Sequence, residues 1–484
     1  MVFSDLFFLF VFIPAFALCY MLGAWADRRL SDTETGYRSH KAKNMALVLF
    51  SLIFYAWGEP VYVLLMIFCV LMNYLAGRGI DSQEGGRRKA ALILGLIVNL
   101  LILGTFKYLN FLVAQLAGIG ITVNAPTIAL PIGISFYTFQ SISYLVDVYR
   151  REAHSQKRFA DLLLYISMFP QLIAGPIVRY GTIANEINDR RVSASDFAEG
   201  SYRFLIGLGK KVILANQLSE ISDQFLVGGL GSLTTTGAWV GIVAFTLQIY
   251  FDFSGYSDMA IGLGRCMGFH FNENFRHPYC CSSITDFWRR WHISLGSFFR
   301  DYVYIPLGGN RRHQPVNILV VWFLTGMWHG ASWNFIIWGV YFGIIVMLEK
   351  YTILRLKSPI FRPLLHIYSL VLVVIGWGIF YFDDFTQMQT FFHSFFGQGG
   401  TVFSDFITET AILNNFWLWV VALLFCMPLR SGALSLLKRM TKEGGAVQET
   451  VLFSVRTVIS VAILILSVAL LVGATNNAFI YTRF

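Results

Sequence analysis

Apolar runs approaching or exceeding twenty residues recur along the chain, at residues 6–24, 60–77, 90–116, 127–148, 237–262, 316–348, 363–381 and 450–474. A run of that length crosses the ~30 Å hydrocarbon core of a bilayer as a helix. Lipid accepts little else, because every backbone N–H and C=O there needs a partner within the protein. Charged residues make up only 13% of the sequence, against about 25% in soluble domains. Mean hydropathy is +0.60. The expected fold is therefore an all-α polytopic membrane protein, a bundle of about ten or more transmembrane and re-entrant helices. No low-complexity linker divides it, so residues 1–484 are expected to form a single membrane-embedded domain.

The formal charge of +9 does not point to nucleic acid, because the basic residues sit in short loops between apolar runs. That placement is the usual topogenic bias, and it orients the loops. Asp5 precedes the first run and Asp27, Arg28 and Arg29 follow it, the reverse of a cleavable signal peptide. A retained first helix with its N-terminus outside is expected. Basic loops at 28–43 and 78–89 flank a hairpin that turns at Gly58-Glu-Pro60. Run 90–116 then goes out, the loop near 117–126 stays outside, and run 127–148 returns to Tyr149-Arg-Arg151. Basic clusters at 276–312, 350–362 and 430–442 mark the cytoplasmic side, and the acidic, small-polar stretch 383–410 marks the outside. Prolines and glycines predict breaks at residues 131–137 and 162–178, tolerated at membrane depth only where protein or a wet cavity surrounds them.

Cys19, Cys69 and Cys426 lie in apolar segments as small hydrophobes, and Cys280 and Cys281 are adjacent. Neither structural disulfides nor zinc are expected from that spacing. The chain has no visible internal repeat, which counts against inverted-repeat transporters.

The chemistry concentrates in two stretches. His329 stands in the apolar run 316–348, within Thr325-Gly-Met-Trp-His-Gly-Ala-Ser-Trp-Asn334. An ionisable group at membrane depth costs about 2–3 kcal/mol, which makes it a candidate functional site. Run 316–348 has basic flanks at both ends and, at about 1.5 Å per residue, overshoots one crossing. Gly326, Gly330 and Asn334 are places to bend, with His329 at the deepest point. A neutral imidazole is a natural general base for a hydroxyl or thiol, while a structural, satisfied histidine is the alternative.

The second stretch is Asp286-Phe-Trp-Arg-Arg-Trp-His-Ile-Ser-Leu295 and its continuation to Arg312. Ser283 and Asp286 predict a helix start. Trp288, Trp291, Leu295, Phe298 and Tyr302 then form one apolar stripe, opposite Arg290, Ser294, Ser297 and Asp301. One reading is an amphipathic interfacial helix. The other is that Arg289, Arg290, Arg300, Arg311 and Arg312 collect an anionic, phosphate-bearing ligand on the cytoplasmic face. His292 beside the Trp stripe is either part of that chemistry or an interfacial histidine bonded to a carbonyl. Asp252, Asp258 and Lys107 are expected in ion pairs, and His270, His277 and His313 in loops. No Ser-His-Asp set and no metal-ligand spacing is legible.

Together with Pro131-Ile-Gly-Ile-Ser-Phe-Tyr-Thr-Phe-Gln140, Phe169-Pro-Gln-Leu-Ile-Ala-Gly-Pro-Ile177, Arg276-His-Pro-Tyr279 and Phe299-Arg-Asp-Tyr-Val-Tyr-Ile-Pro-Leu-Gly-Gly-Asn-Arg311, these segments resemble the membrane-bound O-acyltransferase family, in its bacterial alginate O-acetylation branch. The similarity runs along nearly the whole chain. It implies helices around a central acyl-transfer tunnel, a catalytic core at about 126–350, and a bacterial inner-membrane location. His329 maps onto the family's histidine and His292 onto its second position. The resemblance also implies acetyl-CoA as acyl-donor substrate, with no tightly bound cofactor. A periplasmic or extracellular esterase-like partner and an exported polysaccharide such as alginate are implied too. The donor would be held by Arg289, Arg290, Arg300 and Trp328. Two other readings remain at this point: a proton-coupled transporter or flippase of an acylated or lipid-linked precursor, and a scaffold that recruits the glycan enzyme.

Overall fold

The computed structural model describes residues 1–31, 39–355, 359–429, 432, 446–474 and 479–480, and among them helices are the only regular elements. Among the described residues, seven helices are long and apolar enough to cross a membrane. Phe406–Asn414 and Phe416–Phe425, bent by 61°, make an eighth if they serve as one span. This is an all-α polytopic membrane protein. The basic cluster expected at 430–442 lies outside the described residues, apart from Gly432. All six cysteines are free thiols. The chain divides into two compact units, residues 1–204 with 256–272, and residues 205–255 with 273–484.

The first unit starts with α1 (Ile13–Leu30), α2 (Lys41–Gly58), α3 (Tyr62–Ser82), α4 (Gly85–Gly118), α5 (Ile134–Arg150) and α6 (Phe159–Ser167). Asp27, buried at the end of α1, accepts the N–H groups of Ala42 and Lys43, each at 3.0 Å, and the Ser39 hydroxyl at 2.8 Å. A carboxylate there satisfies donors that the first turn of α2 would otherwise leave open. Between α3 and α4 the amides of Asn73 and Asn99 exchange hydrogen bonds of 2.8 and 3.1 Å, the polar glue expected between helices in lipid. Both predicted breaks are present and they meet. Gly133, at φ 77°, precedes α5, and a Cβ there would fall 2.8 Å from the carbonyl oxygen of Leu172, in the short turn Phe169–Leu172. Lys107 donates to Ser135 at 3.3 Å, and Asp258 pairs with Arg203 at 2.9 Å. His270 sits against Glu186 at 2.7 Å.

The second unit holds the start of α7 (Thr235–Cys266), then α8 (Ile284–Arg290), α9 (Ile293–Phe299), α10 (Gln314–His329), α11 (Trp333–Tyr351) and α12 (Arg362–Tyr381). Asp252 forms its expected ion pair with a lysine, Lys211, at 2.6 Å, and also accepts the N–H of Ile480 at 2.8 Å. α10 and α11 make the predicted hairpin, turning at residues 330–332. Close approach of the two helices depends on glycine: a Cβ on Gly339 would stand 3.0 Å from the Cα of Gly326, and one on Gly343 2.8 Å from the Cβ of Trp322. Lys350 at the end of α11 donates to Asn310 just before α10 at 2.9 Å, so both arms of the hairpin share one basic end.

Candidate active site

The segment from Ser283 to Tyr304 is not one amphipathic helix. It is two short helices with a reversal between them. Ser283 caps α8 as its sequence implied, accepting the N–H of Asp286 at 2.9 Å. Glu349, fully buried in the last turn of α11, accepts the N–H groups of Ile284 and Thr285 and the Thr285 hydroxyl, each at 2.7 Å. The start of α8 is thus tied to the basic end of the hairpin. From there α8 descends along α11. Trp288 packs on Phe342 at 5.0 Å and Trp338 at 5.4 Å, and Trp291 packs on Trp377 at 4.9 Å.

At His292 the chain enters the left-handed region, φ 45° and ψ 54°. For a residue with a Cβ this costs roughly 1–2 kcal/mol, so the surroundings must fix it. Asn274, itself buried, does so. Its carbonyl accepts Ile293 N–H at 3.0 Å, and its side-chain Oδ1 accepts the N–H and hydroxyl of Ser294 at 3.2 and 2.9 Å. Nδ1 of His292 lies 3.1 Å from the same Oδ1. α9 then leads back to Arg300 and Tyr304, whose hydroxyl donates to Asn310 at 2.8 Å. The stripe read from the sequence therefore folds into a re-entrant bend with His292 at its tip.

A cavity of about 460 Å³ opens between this bend and the hairpin, within the range of ligand sites. Its wall includes Arg289, Arg300 and Tyr304, the indoles of Trp288, Trp291 and Trp322, and His292. Arg289 and Arg300 are exposed and His292 is buried, so the cavity grades from a cationic rim to an aromatic interior holding an imidazole. Arg290 is not on this wall; it pairs with Asp286 at 2.9 Å, which raises its pKa. Asp301 grips Arg300 through hydrogen bonds of 2.6 and 3.0 Å and likewise raises its pKa. Arg300 nonetheless keeps 64% of its side chain exposed.

His329 is the last residue of α10, about 22 Å along the axis from Gln314 at the helical rise. It lies at the far end of the hairpin from the basic loop, beside Phe380 in the last turn of α12, at 5.4 Å. This is the deep turn that Gly326, Gly330 and Asn334 implied. The indoles of Trp328 and Trp338 stand 4.9 Å away on other sides. Trp328 also faces His292 at 5.7 Å, so one indole packs against both histidines. His329 and Trp328 are both off the cavity wall, whereas Thr325, one turn earlier, is on it. Asn334 anchors the turn by donating to the carbonyl of Phe380 at 3.0 Å. Sequence reasoning missed Asn274, Trp338, Glu349 and Phe380. Only Glu349, a single acid closing an apolar run, carried a local signal.

Comparison with known proteins bears on this arrangement. The model of the membrane-bound O-acyltransferase family matches residues 54–389. The chain is 42% identical to the probable alginate O-acetylase AlgI of Pseudomonas aeruginosa over 410 residues, 82% of this chain and 75% of that one. It is 36% identical to the peptidoglycan O-acetyltransferase of Helicobacter pylori over 383 residues, 72% of this chain and 70% of that one. It is 26% identical to the teichoic acid D-alanyltransferase of Bacillus subtilis over 232 residues, 44% of this chain and 58% of that one. With two histidines in its motifs packed against one indole, and with most of its length matched, the chain belongs to the membrane-bound O-acyltransferase family and is an O-acyltransferase.

Proposed function

We propose that the protein takes acetyl groups from acetyl-CoA at the cytoplasmic face of a bacterial inner membrane and passes them across for O-acetylation of an exported polysaccharide such as alginate. An esterase-like partner on the outer side completes the transfer. The observation that carries this reading is the graded cavity: exposed Arg289 and Arg300 at its rim, tryptophans within, and His292 on its inner wall. A volume of about 460 Å³ suits the acylated pantetheine arm, with the nucleotide phosphates left outside at the arginines. Arg290, paired with Asp286 off the cavity wall, contributes to the positive field rather than to contact.

The reaction is acyl transfer. A hydroxyl or thiol of the acceptor loses its proton to a histidine, its heteroatom bonds the acetyl carbon, the carbon–sulfur bond breaks, and the coenzyme A thiolate takes up the proton. His329 acts as base or proton shuttle, and its place at the far end of the hairpin suits an acceptor arriving from the outer side. The aromatic rings around it leave little water to hydrolyse the acyl group.

The test is transfer of labelled acetyl from acetyl-CoA by purified protein with its partner, comparing wild type and His329→Ala. Loss of transfer in a folded variant is expected. Full transfer by the variant removes His329 from the chemistry, and no consumption of acetyl-CoA under any pairing removes the donor.

A further inference from the structure

We propose that Asn274 is a positioning residue: it holds His292 in the tautomer protonated on Nδ1, so that the neutral ring meets the cavity's occupant through Nε2 as a hydrogen-bond acceptor. The inference deepens the proposed reaction and rests on His292 taking part in it.

A backbone N–H fixes the direction of the network. Ser294 N–H points at one side-chain atom of Asn274 at 3.2 Å, and a backbone N–H can donate only to oxygen, so that atom is Oδ1 and not the amide nitrogen. The Ser294 hydroxyl donates to the same oxygen at 2.9 Å. Nδ1 of His292, at 3.1 Å from this Oδ1, can approach an acceptor only by carrying a hydrogen. The Ser294 hydroxyl oxygen, 3.4 Å from Nδ1, is a second acceptor for the same hydrogen. A neutral imidazole with its proton on Nδ1 has its lone pair on Nε2. The left-handed turn at His292 and the bond from Ile293 N–H to the Asn274 carbonyl lock both partners in register. Phe253, edge-on to the ring at 4.7 Å, limits its rotation.

The consequence is a division of roles. A ring in this state cannot polarise the thioester by donating to its carbonyl oxygen. It can receive a hydrogen bond, and then the proton, from the attacking O–H or S–H, on the donor side of Trp328. The coenzyme A thiolate takes that proton up as it leaves, and His329 handles protons on its own side of the indole.

Two measurements test this. The first needs no activity: 15N NMR of the histidine-labelled protein, with the His292 signals identified by their loss in His292→Gln. A protonated Nδ1 and a bare Nε2 are expected, with the tautomer mixed or reversed in Asn274→Leu. A protonated Nε2 in the wild type overturns the proposal even if acetyl-CoA is the donor. The second is kinetic. Asn274→Leu should lower kcat on the order of 10–100-fold with KM for acetyl-CoA within about twofold, as for loss of an outer partner of a working histidine. Asn274→Asp, which keeps the acceptor oxygens, should recover most of it. In a His292→Ala background, Asn274→Leu should add nothing. Equal losses in the Leu and Asp variants, or a further loss without His292, overturn the positioning role. Full transfer by His292→Ala overturns it too, while leaving the donor and His329 in place.

Discussion

Two bends in the second unit each carry a histidine near the tip, and they hold it by opposite means. The 283–304 bend fixes His292 with hydrogen bonds, in a strained backbone conformation, on a cavity wall. The 314–351 hairpin places His329 at an unstrained helix end and surrounds it with Trp328, Trp338 and Phe380. Hydrogen bonds choose a tautomer and a direction. Aromatic packing surrounds the imidazole with rings and keeps bulk water from it. Under the proposed function, one side would recognise the donor and the other would carry out a dry transfer.

The most severe way to break this contrast is at the packed end. His329→Ala should lower kcat about 10²–10⁴-fold, the usual size of a general-base contribution, with the folded protein recovered in normal amount from detergent. Gly326→Leu attacks the same end through its backbone contact with α11. A side chain there strikes the Phe335 carbonyl, so thermal unfolding in detergent should show a loss of about 1–3 kcal/mol or more. Unchanged unfolding would mean that the two helices can part without cost.

Glu349→Leu tests the bonded end. It strips the start of α8 of a buried acceptor for three donors, and a loss of about 1–3 kcal/mol is expected, with the change in activity read as kcat because the bend carrying His292 loses its anchor. Smallest are the rim effects. Arg289→Ala and Arg300→Ala should each raise KM for acetyl-CoA about three- to tenfold at unchanged kcat, less so in high salt. Arg290→Ala should move KM less than either, since it stands off the cavity wall. A larger KM effect at Arg290 would shift the donor's phosphates away from the cavity described.

The contrast also explains what could be read from sequence. The hairpin was legible because its signals are local: basic flanks, Gly326 and Gly330, and a run too long for one crossing. The Ser283 cap was legible for the same reason. The reversal at His292 was not. No glycine or proline stands at 291–293, and the Trp288–Trp291–Leu295 spacing is intact across it, so a continuous helix satisfied every local rule. What breaks that helix is Asn274, eighteen residues earlier, acting through space. Lys211 as partner of Asp252 and the meeting of Gly133 with Leu172 are long-range facts of the same kind.

The indole of Trp328, packed against both histidines, has a bearing on the cell as a whole. A bacterial membrane stores energy as a proton gradient, and each elementary charge crossing it is worth about 2.3 kcal/mol per 100 mV. On the proposed function, an enzyme whose two imidazoles serve opposite faces is, in wiring terms, most of a proton conductor. On that reading an aromatic ring packed 5.7 Å from one and 4.9 Å from the next would interrupt the circuit, because it leaves no room for the water that would carry a proton. Trp328→Ala vesicles should then discharge an imposed pH gradient faster than wild-type vesicles; equal rates would place the insulation elsewhere.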